Sequence, residues 1–280
     1  MSFRQRHKIP DLGIGVGARP VHYASLVGDA APLPAWLEVI SENFMGDGGR
    51  AHRSLDMLKA KFPIVTHGVS LSIGGTDLLD KAYLARLRRL CDRVHAPWFS
   101  DHLCFTRASG VDLHDLLPLP MTRETIVHVA DRIRAVTDFV GRPFALENLS
   151  SYLEYRTDEM PEWEFLSEIA ERADCGLLFD VNNVFVSSRN HAFEPRAYLA
   201  AVPHERIVQL HLAGHTDKGT HLLDNHGTPV ADSVWDLYRE TLQKVGAVST
   251  LIEWDEDIPP YEVLMDEVQK AANIRKDVCG

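Results

Sequence analysis

The strongest constraint on the fold of this chain is a repeated alternation of short apolar runs with helical patterns. The runs are rich in Val, Ile, Leu and Phe, and such continuous apolarity is typical of parallel strands that are buried on both faces. Eight strands alternating with helices predict a closed (β/α)8 TIM barrel rather than an open sheet. The predicted strands are Leu12–Arg19, Trp36–Phe44, Ile64–Gly74, Trp98–Phe105, Phe144–Tyr152, Gly176–Val186, Val208–His215 and Ser249–Asp255.

Helical patterns fill the segments between these runs. Leu84, Leu87, Cys91 and Val94 follow the spacing i, i+3, i+7, i+10, which places them on one face of a helix. Thr122 is a candidate N-cap for a further helix. The apolar stripe of that helix consists of Ile126, Ala130, Ile133 and Val140. A helix predicted from Asp232 has a stripe formed by Val234, Leu237, Tyr238, Thr241, Leu242 and Val245. Four further helices are predicted at His52–Lys61, Glu162–Ala173, Pro195–Val202 and Tyr261–Arg275.

The chain length fits one such barrel. Its 280 residues compare with about 250 in a typical (β/α)8 barrel. No linker or low-complexity tract interrupts the pattern, so we expect a single domain over residues 1–280. The segments Thr106–Pro120 and Gly214–Pro229 are predicted to be long loops, and in barrels the long βα loops carry function.

Charge and composition narrow the class of protein. The formal net charge of −11 works against a nucleic-acid partner, because such proteins usually present a basic face. No signal peptide or membrane-spanning run is found, so we expect a cytoplasmic protein with no membrane contact. The scattered cysteines predict reduced, buried thiols rather than disulfides; they are Cys91, Cys104, Cys175 and Cys279.

Almost every predicted strand ends in residues that an apolar core would reject. Because the C-terminal ends of barrel strands meet at one mouth, these side chains are expected to lie close together. They are Thr66-His67-Gly68, Ser100-Asp101-His102, Leu146-Glu147-Asn148, Phe179-Asp180-Val181-Asn182-Asn183, Gln209-Leu210-His211 with His215, Asp224 and His226 in the following loop, and Ile252-Glu253-Trp254-Asp255.

This cluster predicts a multinuclear metal site. A single His or Glu in a strand is most often a hydrogen-bonded core residue or a solvated loop residue. A whole set of carboxylates and imidazoles at one barrel end is costly to bury unless cations neutralise it. Mixed ligands of this kind suit Fe, Zn, Mn or Co, and a carboxylate such as Glu147 can bridge two ions.

Other chemistries have weaker support. The sequence has neither a G-x-x-x-x-G-K-[ST] phosphate loop nor a G-x-S-x-G nucleophile elbow. The glycine-rich stretch Gly13–Gly17 is a weak signal without the rest of a dinucleotide fingerprint. His67 and His102 could form an acid–base pair, but that hypothesis leaves the carboxylates unexplained.

Seven motifs, taken in order, resemble one family over nearly the whole chain. They are THGVSLSIGG (66–75), SDHL (100–103), ENLSSY (147–152), DVNNVFVSSRNH (180–191), QLHLAGH (209–215), DNHGTPV (224–230) and IEWDEDIP (252–259). The chain is similar to the multinuclear non-haem iron-dependent oxidative enzymes, formerly the domain-of-unknown-function 692 or UPF0276 family. The resemblance implies a xylose-isomerase-like barrel that holds two or three irons as Fe(II)/Fe(III) and uses O2 as co-substrate. It also implies a Cys-containing precursor peptide as substrate and a small partner protein that presents this peptide.

The resemblance further implies a ligand set. The order is similar to the trinuclear zinc site of endonuclease IV-type barrels, but Asn183 stands in place of an imidazole. The iron family carries the same substitution, which favours iron. By this analogy His67, His102 and Glu147 hold one ion, Glu147 with Asp180, His211 and Glu253 holds a second, and Asn183, Asp224 and His226 hold the third.

Other residues receive roles by the same analogy. Catalysis is assigned to Glu147, Asp180 and His211. The residues expected to orient the ligands are Asp101, Asn148, His215 and Asp255. Asn182 is the rival to Asn183, since one residue of strand register separates them. Arg19, His22 and Asn43 either line the mouth or are solvated surface residues.

Two other classes of function remain open. One is a zinc- or manganese-dependent barrel enzyme without redox chemistry, either a phosphodiesterase or a sugar isomerase. The other is a metal-storage or scaffolding protein, which does not require ligands gathered from so many strands. The acidic charge disfavours the phosphodiesterase, and Asn183 disfavours a trizinc site.

Overall fold

Eight parallel strands close into a barrel in the computed structural model, which describes residues 1–28 and 32–280. In chain order the strands are β1 (Ile14–Gly17), β2 (Leu37–Ile40), β3 (Ile64–Gly68), β4 (Phe99–His102), β5 (Phe105–Ala108), β6 (Val111–Leu117), β7 (Phe144–Glu147), β8 (Gly176–Asp180), β9 (Ile207–Leu212), β10 (Thr216–Asp217), β11 (Leu222–Leu223) and β12 (Ser249–Ile252). The order around the barrel is β1-β12-β9-β8-β7-β4-β3-β2, and the other four strands form two small antiparallel pairs. The predicted (β/α)8 barrel is confirmed.

The predicted helices are confirmed with small shifts at their ends. The α-helices are α1 (Phe3–Arg6), α2 (Tyr23–Val27), α3 (Gly49–Lys59), α4 (Lys81–Val94), α5 (Arg123–Val140), α6 (Glu162–Ala173), α7 (Val181–Asn190), α8 (Pro195–Ala201), α9 (Asp232–Val245) and α10 (Tyr261–Cys279). Short 3-10 helices lie at Pro20–His22, Ser41–Phe44 and His204–Arg206. Thr122 caps α5 as predicted, since its side chain accepts a hydrogen bond from the Thr125 amide at 3.2 Å.

The sixth predicted strand was wrong at its C-terminal end. It was expected to reach Val186, but β8 ends at Asp180 and α7 begins at the next residue. The Val- and Phe-rich sequence reads as a strand because β-branched residues favour strands. Asp180 overrides this preference, because its side chain caps α7 by accepting a hydrogen bond from the Asn183 amide at 2.6 Å.

The segment Thr106–Pro120 was predicted to be a long loop, and the structure gives it regular strands instead. Most of it belongs to an antiparallel hairpin of β5 and β6. Ser109 and Gly110 lie at the tip with φ of 51° and 77°. Two successive residues with positive φ are typical of a tight hairpin turn. The Ser-Gly pair was therefore the local signal for this hairpin.

An apolar layer fills the N-terminal half of the barrel. Its members come from the first helix, from several strands and from the positions directly before β2 and β4, and all are nearly inaccessible to solvent: Phe3, Trp36, Val65, Trp98, Ala145, Leu178, Val208 and Leu251. Phe3 of α1 belongs to this cluster and closes the barrel from below. The polar residues of the candidate site therefore have to lie above this layer, toward the C-terminal mouth.

The structure also bears on the predictions that the cysteines are buried, reduced thiols and that no segment spans a membrane. Cys91, Cys104 and Cys175 are buried and free, as predicted. Cys279 is exposed, so the prediction of a buried thiol was wrong there, because this residue is at the end of the last helix. Among the described residues, no helix combines the length and apolarity that a membrane span requires.

Candidate metal centre

The candidate site is the second layer of the barrel interior. Because successive strand residues point to opposite faces, a residue two positions after an inward-facing one also faces inward. Two positions beyond Trp36, Val65, Ala145, Leu178 and Leu251 lie five ionisable residues, all buried: Glu38, His67, Glu147, Asp180 and Glu253. The strand period therefore gathers carboxylates and imidazoles directly above the apolar layer.

The first ligand group consists of His67, His102 and Glu147. The Nε2 atoms of both histidines lie 3.3 Å from Glu147 Oε2. His102 Nδ1 lies 3.1 Å from the carbonyl oxygen of Gly68 and must donate to it, which leaves Nε2 free as a ligand. His67 Nδ1 lies 2.9 Å from Ser100 Oγ. Metal–ligand bonds of about 2.1 Å in a tetrahedral site separate the ligand atoms by about 3.4 Å, so these distances suit one shared ion.

The second ligand group contains Glu147, Asp180, His211 and Glu253. His211 Nδ1 lies 2.9 Å from Glu253 Oε2, 3.4 Å from Glu147 Oε1 and 3.9 Å from Asp180 Oδ2. Glu147 thus presents one oxygen to each of the first two groups, which is the geometry of a bridging carboxylate. Asp180 Oδ1 caps α7, so Oδ2 is the oxygen available to an ion.

The third group lies nearer the mouth, around His226. Its Nε2 is 2.7 Å from Asp224 Oδ1, and its Nδ1 is 3.2 Å from both Glu253 Oε2 and Asp255 Oδ2. Asp224 and His226 are therefore together, as the sequence predicts. Asp255 was expected only to orient ligands, yet it forms a compact ligand set with His226 and Glu253.

Asn183 and Asn182 have different surroundings because both are on α7 rather than on a strand. Asn182 uses both ends of its amide: Oδ1 lies 2.8 Å from His215 Nδ1, and Nδ2 donates to Asp224 Oδ1 at 2.8 Å. Asn183 donates through Nδ2 to the Asn148 carbonyl, while its Oδ1 is buried without a hydrogen-bond partner. Only the Asn183 oxygen is therefore free to bind an ion.

Three of the residues predicted to orient ligands contact the backbone or side chains of candidate ligands. Asp101 accepts hydrogen bonds from the amides of His102 at 2.8 Å and Leu71 at 3.2 Å, which fixes the ends of β3 and β4. The Asn148 side chain holds the backbone of Asp180 at two points. Its Oδ1 accepts from the Asp180 amide at 2.9 Å, and its Nδ2 donates to the Asp180 carbonyl at 3.0 Å. His215 acts on Asp224 through Asn182.

The charges of the site are strongly coupled. Burial opposes a charged His102, but the Glu147 carboxylate raises the pKa of His102 to about 9. Burial also opposes ionisation of Glu147, yet His102, His67 and His211 together lower the pKa of Glu147 to about 2. Burial raises the pKa of Asp180 well above its ordinary value. Positive charge from the imidazoles therefore does not suffice for all the carboxylates, and a bound cation would supply the remainder.

Unpartnered polar atoms mark where that cation would lie. Buried atoms without any partner in hydrogen-bond geometry include Glu147 Oε2, Asp180 Oδ2, Asn183 Oδ1, His211 Nδ1 and both ring nitrogens of His226. Buried polar groups in folded proteins are almost always satisfied. These atoms lie close together without directed hydrogen bonds, so their lone pairs fit shared ions better than one another. The residues present therefore fit a multinuclear metal centre.

A cavity of about 330 Å³ opens above this layer. His67, His102, Asn183, His226 and Glu253 line its floor. Glu147, Asp180 and His211 lie deeper and do not line it. Its walls and rim carry further polar and apolar residues, among them Ile40, Val69, Asp115, Leu116, Leu149, Tyr152, Asp224, Asp255 and Glu256.

Three residues were predicted either to line the mouth or to be solvated surface residues, and the structure places each of them differently. Arg19 is paired with Asp255 at the rim and also donates to the Trp254 carbonyl. His22 is 3 % exposed and packs against Tyr261, so it does not line the cavity. Asn43 is exposed and lies outside the cavity lining.

Sequence reasoning missed one carboxylate of this layer. Glu38 is on β2, 4 % exposed, with Oε1 3.2 Å from His211 Nε2. Ser100 and Gln209 were noted as polar strand residues, and both contact ligand imidazoles. The signal for Glu38 was a single carboxylate inside the apolar run WLEVI, two residues after the inward-facing Trp36.

Solved structures share the fold of this chain at low sequence identity. D-psicose 3-epimerase from Clostridium cellulolyticum H10 superposes with a TM-score of 0.62 at 12 % identity, covering 95 % of this chain and 99 % of that protein. Endonuclease IV from Thermus thermophilus gives a TM-score of 0.61 at 13 % identity, covering 96 % of this chain and 100 % of that protein. These likenesses show the xylose-isomerase-like TIM barrel and do not extend to activity.

Closer relatives show the family. A UPF0276 protein of Anaeromyxobacter sp. (strain Fw109-5) is 53 % identical over 263 residues, which cover 94 % of this chain and 93 % of the relative. A UPF0276 protein of Caulobacter vibrioides (strain NA1000 / CB15N) is 46 % identical over 259 residues, 92 % of each chain. Residues 13–276 match the family described as RiPP precursor modification enzyme MbnB/TglH/ChrH. The resemblance read from the seven motifs is therefore confirmed, and this chain belongs to the MbnB/TglH/ChrH family of RiPP precursor modification enzymes.

Proposed function

We propose that this protein is an O2-dependent iron enzyme that oxidises a cysteine of a ribosomally made peptide. The observation that carries the proposal is the set of buried, unpartnered ligand atoms on both sides of Glu147, in a chain that belongs to a family of peptide-modifying enzymes. Two or three irons fit this arrangement, because the first two groups share Glu147 and the third shares Glu253 with the second.

The donor set supports iron over the hard cations. Imidazole nitrogens mixed with carboxylate oxygens suit Fe, Zn, Mn or Co, whereas oxygen-only sites suit Mg or Ca. We assign His67, His102 and Glu147 to the first ion, and Asp180, His211 and Glu253 with Glu147 to the second. Asn183 with Asp224 and His226 completes the third, to which Asp255 is also close enough to contribute. When bound, these irons would supply activation of O2 and a positive charge that favours the thiolate form of a substrate cysteine.

The cavity is consistent with one reacting side chain on a larger substrate. A volume of about 330 Å³ accommodates a cysteine and its immediate neighbours but not a folded domain. The catalytic assignment to Glu147, Asp180 and His211 concerns residues beneath the cavity floor, so they act by holding the metals rather than by touching the peptide. The residues that contact the peptide are then those of the walls, such as Leu149 and Tyr152.

The charge of the mouth supports a peptide over a nucleic acid. Asp115, Asp224 and Glu256 are on the cavity wall, and the chain has a net charge of −11. A phosphate backbone would be repelled there, because nucleic-acid affinity depends on neutralising phosphates with basic side chains. We further propose that a small partner protein presents the precursor peptide, since the cavity is too small to hold a leader segment as well.

A peptide assay tests this function. The protein is loaded with Fe(II) without oxygen, mixed with the Cys-containing peptide encoded beside its gene and with the partner candidate, and then exposed to O2. We expect mass spectrometry to show an oxidised peptide, and no change in a Cys→Ser peptide that still binds. An unchanged Cys peptide, together with metal-dependent cleavage of abasic DNA or epimerisation of a ketose, would refute the proposal.

A further inference from the structure

We propose that Glu38 is a positioning residue of the metal centre, which accepts a hydrogen bond from His211 Nε2–H and so makes Nδ1 the ligating nitrogen of His211. The inference rests on the metal centre proposed above and extends it to a residue outside the ligand set. Glu38 is on β2 and His211 is on β9. Since β1 and β12 separate these two strands in the barrel, the contact between the side chains spans the barrel interior.

The geometry of Glu38 is that of a buried acceptor with two donors. Its Oε2 accepts a hydrogen bond from Gln209 Nε2 at 2.5 Å and lies 3.4 Å from His211 Nε2, while its Oε1 lies 3.2 Å from the same His211 nitrogen. Glu38 is 4 % exposed and His211 is inaccessible to solvent. A carboxylate this deeply buried is costly unless donors satisfy it, and these two side chains supply the donors.

The orientation of Gln209 follows from Trp98. The indole Nε1 of Trp98 can only donate, and it lies 2.8 Å from Gln209 Oε1. The amide nitrogen of Gln209 therefore faces Glu38. Turning the amide round would place its oxygen against the Glu38 carboxylate and its nitrogen against the indole N–H. Both contacts would then be repulsive.

Gln209 Nε2 also lies 2.8 Å from His211 Nε2, which admits two arrangements. In one, Gln209 donates to an unprotonated Nε2, and Nδ1 carries the proton. In the other, the two nitrogens lie side by side and both donate to Glu38, whose Oε2 lies 2.5 Å from Gln209 Nε2 and 3.4 Å from His211 Nε2. The second arrangement gives the buried carboxylate two donors. It also leaves the Nδ1 lone pair directed toward Glu147, Asp180 and Glu253.

Glu38 gives His211 a stronger partner than the other ligand histidines have. His67 and His102 direct Nε2 toward Glu147 and bond through Nδ1 to a hydroxyl and to a backbone carbonyl. His211 is reversed, with Nδ1 inward and a carboxylate behind Nε2. A carboxylate partner fixes the tautomer and strengthens the donor, and loss of such a partner typically lowers metal affinity about 10–100-fold.

The test measures zinc binding and tautomers, with Zn²⁺ as a diamagnetic probe, rather than turnover. Calorimetric titrations compare the wild type, Glu38→Gln and the matched variant Ser100→Ala, which removes the partner of His67 instead. We expect Glu38→Gln to weaken the site that contains His211 by about 10–100-fold, while Ser100→Ala weakens the site that contains His67. The affected site is identified by repeating each titration in the His67→Ala and His211→Ala backgrounds.

A second measurement keeps the inference testable if Glu38→Gln does not fold. Two-bond 1H–15N spectra of zinc-loaded wild type labelled at histidine, with His211 identified by its loss in His211→Gln, should show Nε2 protonated and Nδ1 bound to metal. The opposite tautomer overturns the inference, as does a folded Glu38→Gln variant with wild-type zinc affinity. A wild type that binds no zinc at His211 overturns the proposed metal centre itself, and this inference with it.

Discussion

Replacement of Glu147 by Gln should remove more metal than a conservative change at a ligand that belongs to one group only. The side chain presents Oε2 to His67 and His102 and Oε1 to His211, each at 3.3 or 3.4 Å. An amide keeps the shape but has one neutral oxygen and one nitrogen whose lone pair is delocalised and does not bind a metal. It can therefore serve one side of the bridge poorly and the other side not at all. We expect the variant to lose more than one ion per chain and all activity.

The same substitution should destabilise the metal-free protein by a magnitude that the structure gives. The three imidazoles around Glu147 overcome the effect of burial and lower the pKa of this carboxyl from 4.5 to about 2. Each pKa unit corresponds to about 1.4 kcal/mol, so the charged carboxylate contributes about 3 kcal/mol over its neutral form. A lowered pKa makes this contribution fully present above pH 4.5 and removes it as the pH falls toward 2.

Metal analysis and urea unfolding at pH 7 measure both effects, with Glu162→Gln as the matched control. Glu162 is a partly buried glutamate that accepts a hydrogen bond from Tyr198, and desolvation raises its pKa to about 7. Its substitution should therefore leave the metal content unchanged and cost little stability. A folded Glu147→Gln protein with a full metal complement, or with the stability of the Glu162→Gln protein, would refute the bridging role.

Other changes should separate the parts of the site. Asp224→Ala should keep two ions and some activity by metal analysis and assay, because His226 is the only ligand histidine with which Asp224 pairs. Loss of all metal from the folded variant would contradict the partition into three groups. Binding of an ion at His102 must displace a proton, because Glu147 raises the pKa of His102 to about 9 despite burial. The zinc affinity of that group should therefore rise as the pH increases to about 9 and then level off. A zinc affinity that does not change from pH 6.5 to 9 would exclude this competition. Without metal, the stability that His102 contributes is complete below pH 6.5 and is lost as the pH rises through 9. Gly68→Ala should weaken metal binding and lower the free energy of unfolding by about 1–3 kcal/mol in urea titrations, because the added Cβ would clash with Asp101 Oδ2. A variant with wild-type metal affinity and wild-type free energy of unfolding would show that Asp101 can move without consequence.

The strand period explains why much of the site could be predicted from the sequence. His67, Glu147 and Glu253 each come two residues after an apolar inward-facing residue and at or next to the end of a strand. Their position at strand ends made them visible as polar interruptions of apolar runs. Glu38 has the same relation to Trp36, but it lies within its strand with apolar residues directly on both sides. Its partner His211 is 173 residues away in sequence, so only the closed barrel brings the two together.

The positions of Asn182 and Asn183 could not be predicted from the sequence, because their segment can form either a strand or a helix. The segment that follows Asp180 has strand-like composition, and a strand would have separated Asn182 and Asn183 onto opposite faces. A hydrogen bond from the Asn183 amide to the Asp180 side chain starts a helix instead. In that helix both amides face the site region, and their different partners distinguish them. Asp255 could not be placed beside His226 from sequence either, because the contact depends on how two loops meet.

Anomalous diffraction at the iron absorption edge tests the central claim most directly. Crystals of protein loaded with Fe(II) without oxygen should show two strong iron peaks on the two sides of Glu147, one between His67 and His102 and one beside His211. A weaker third peak is expected near His226, where Asn183 is a neutral ligand. Absence of iron beside Glu147 in the loaded crystals, or exclusive occupation by zinc in protein purified without added metal, would contradict the account.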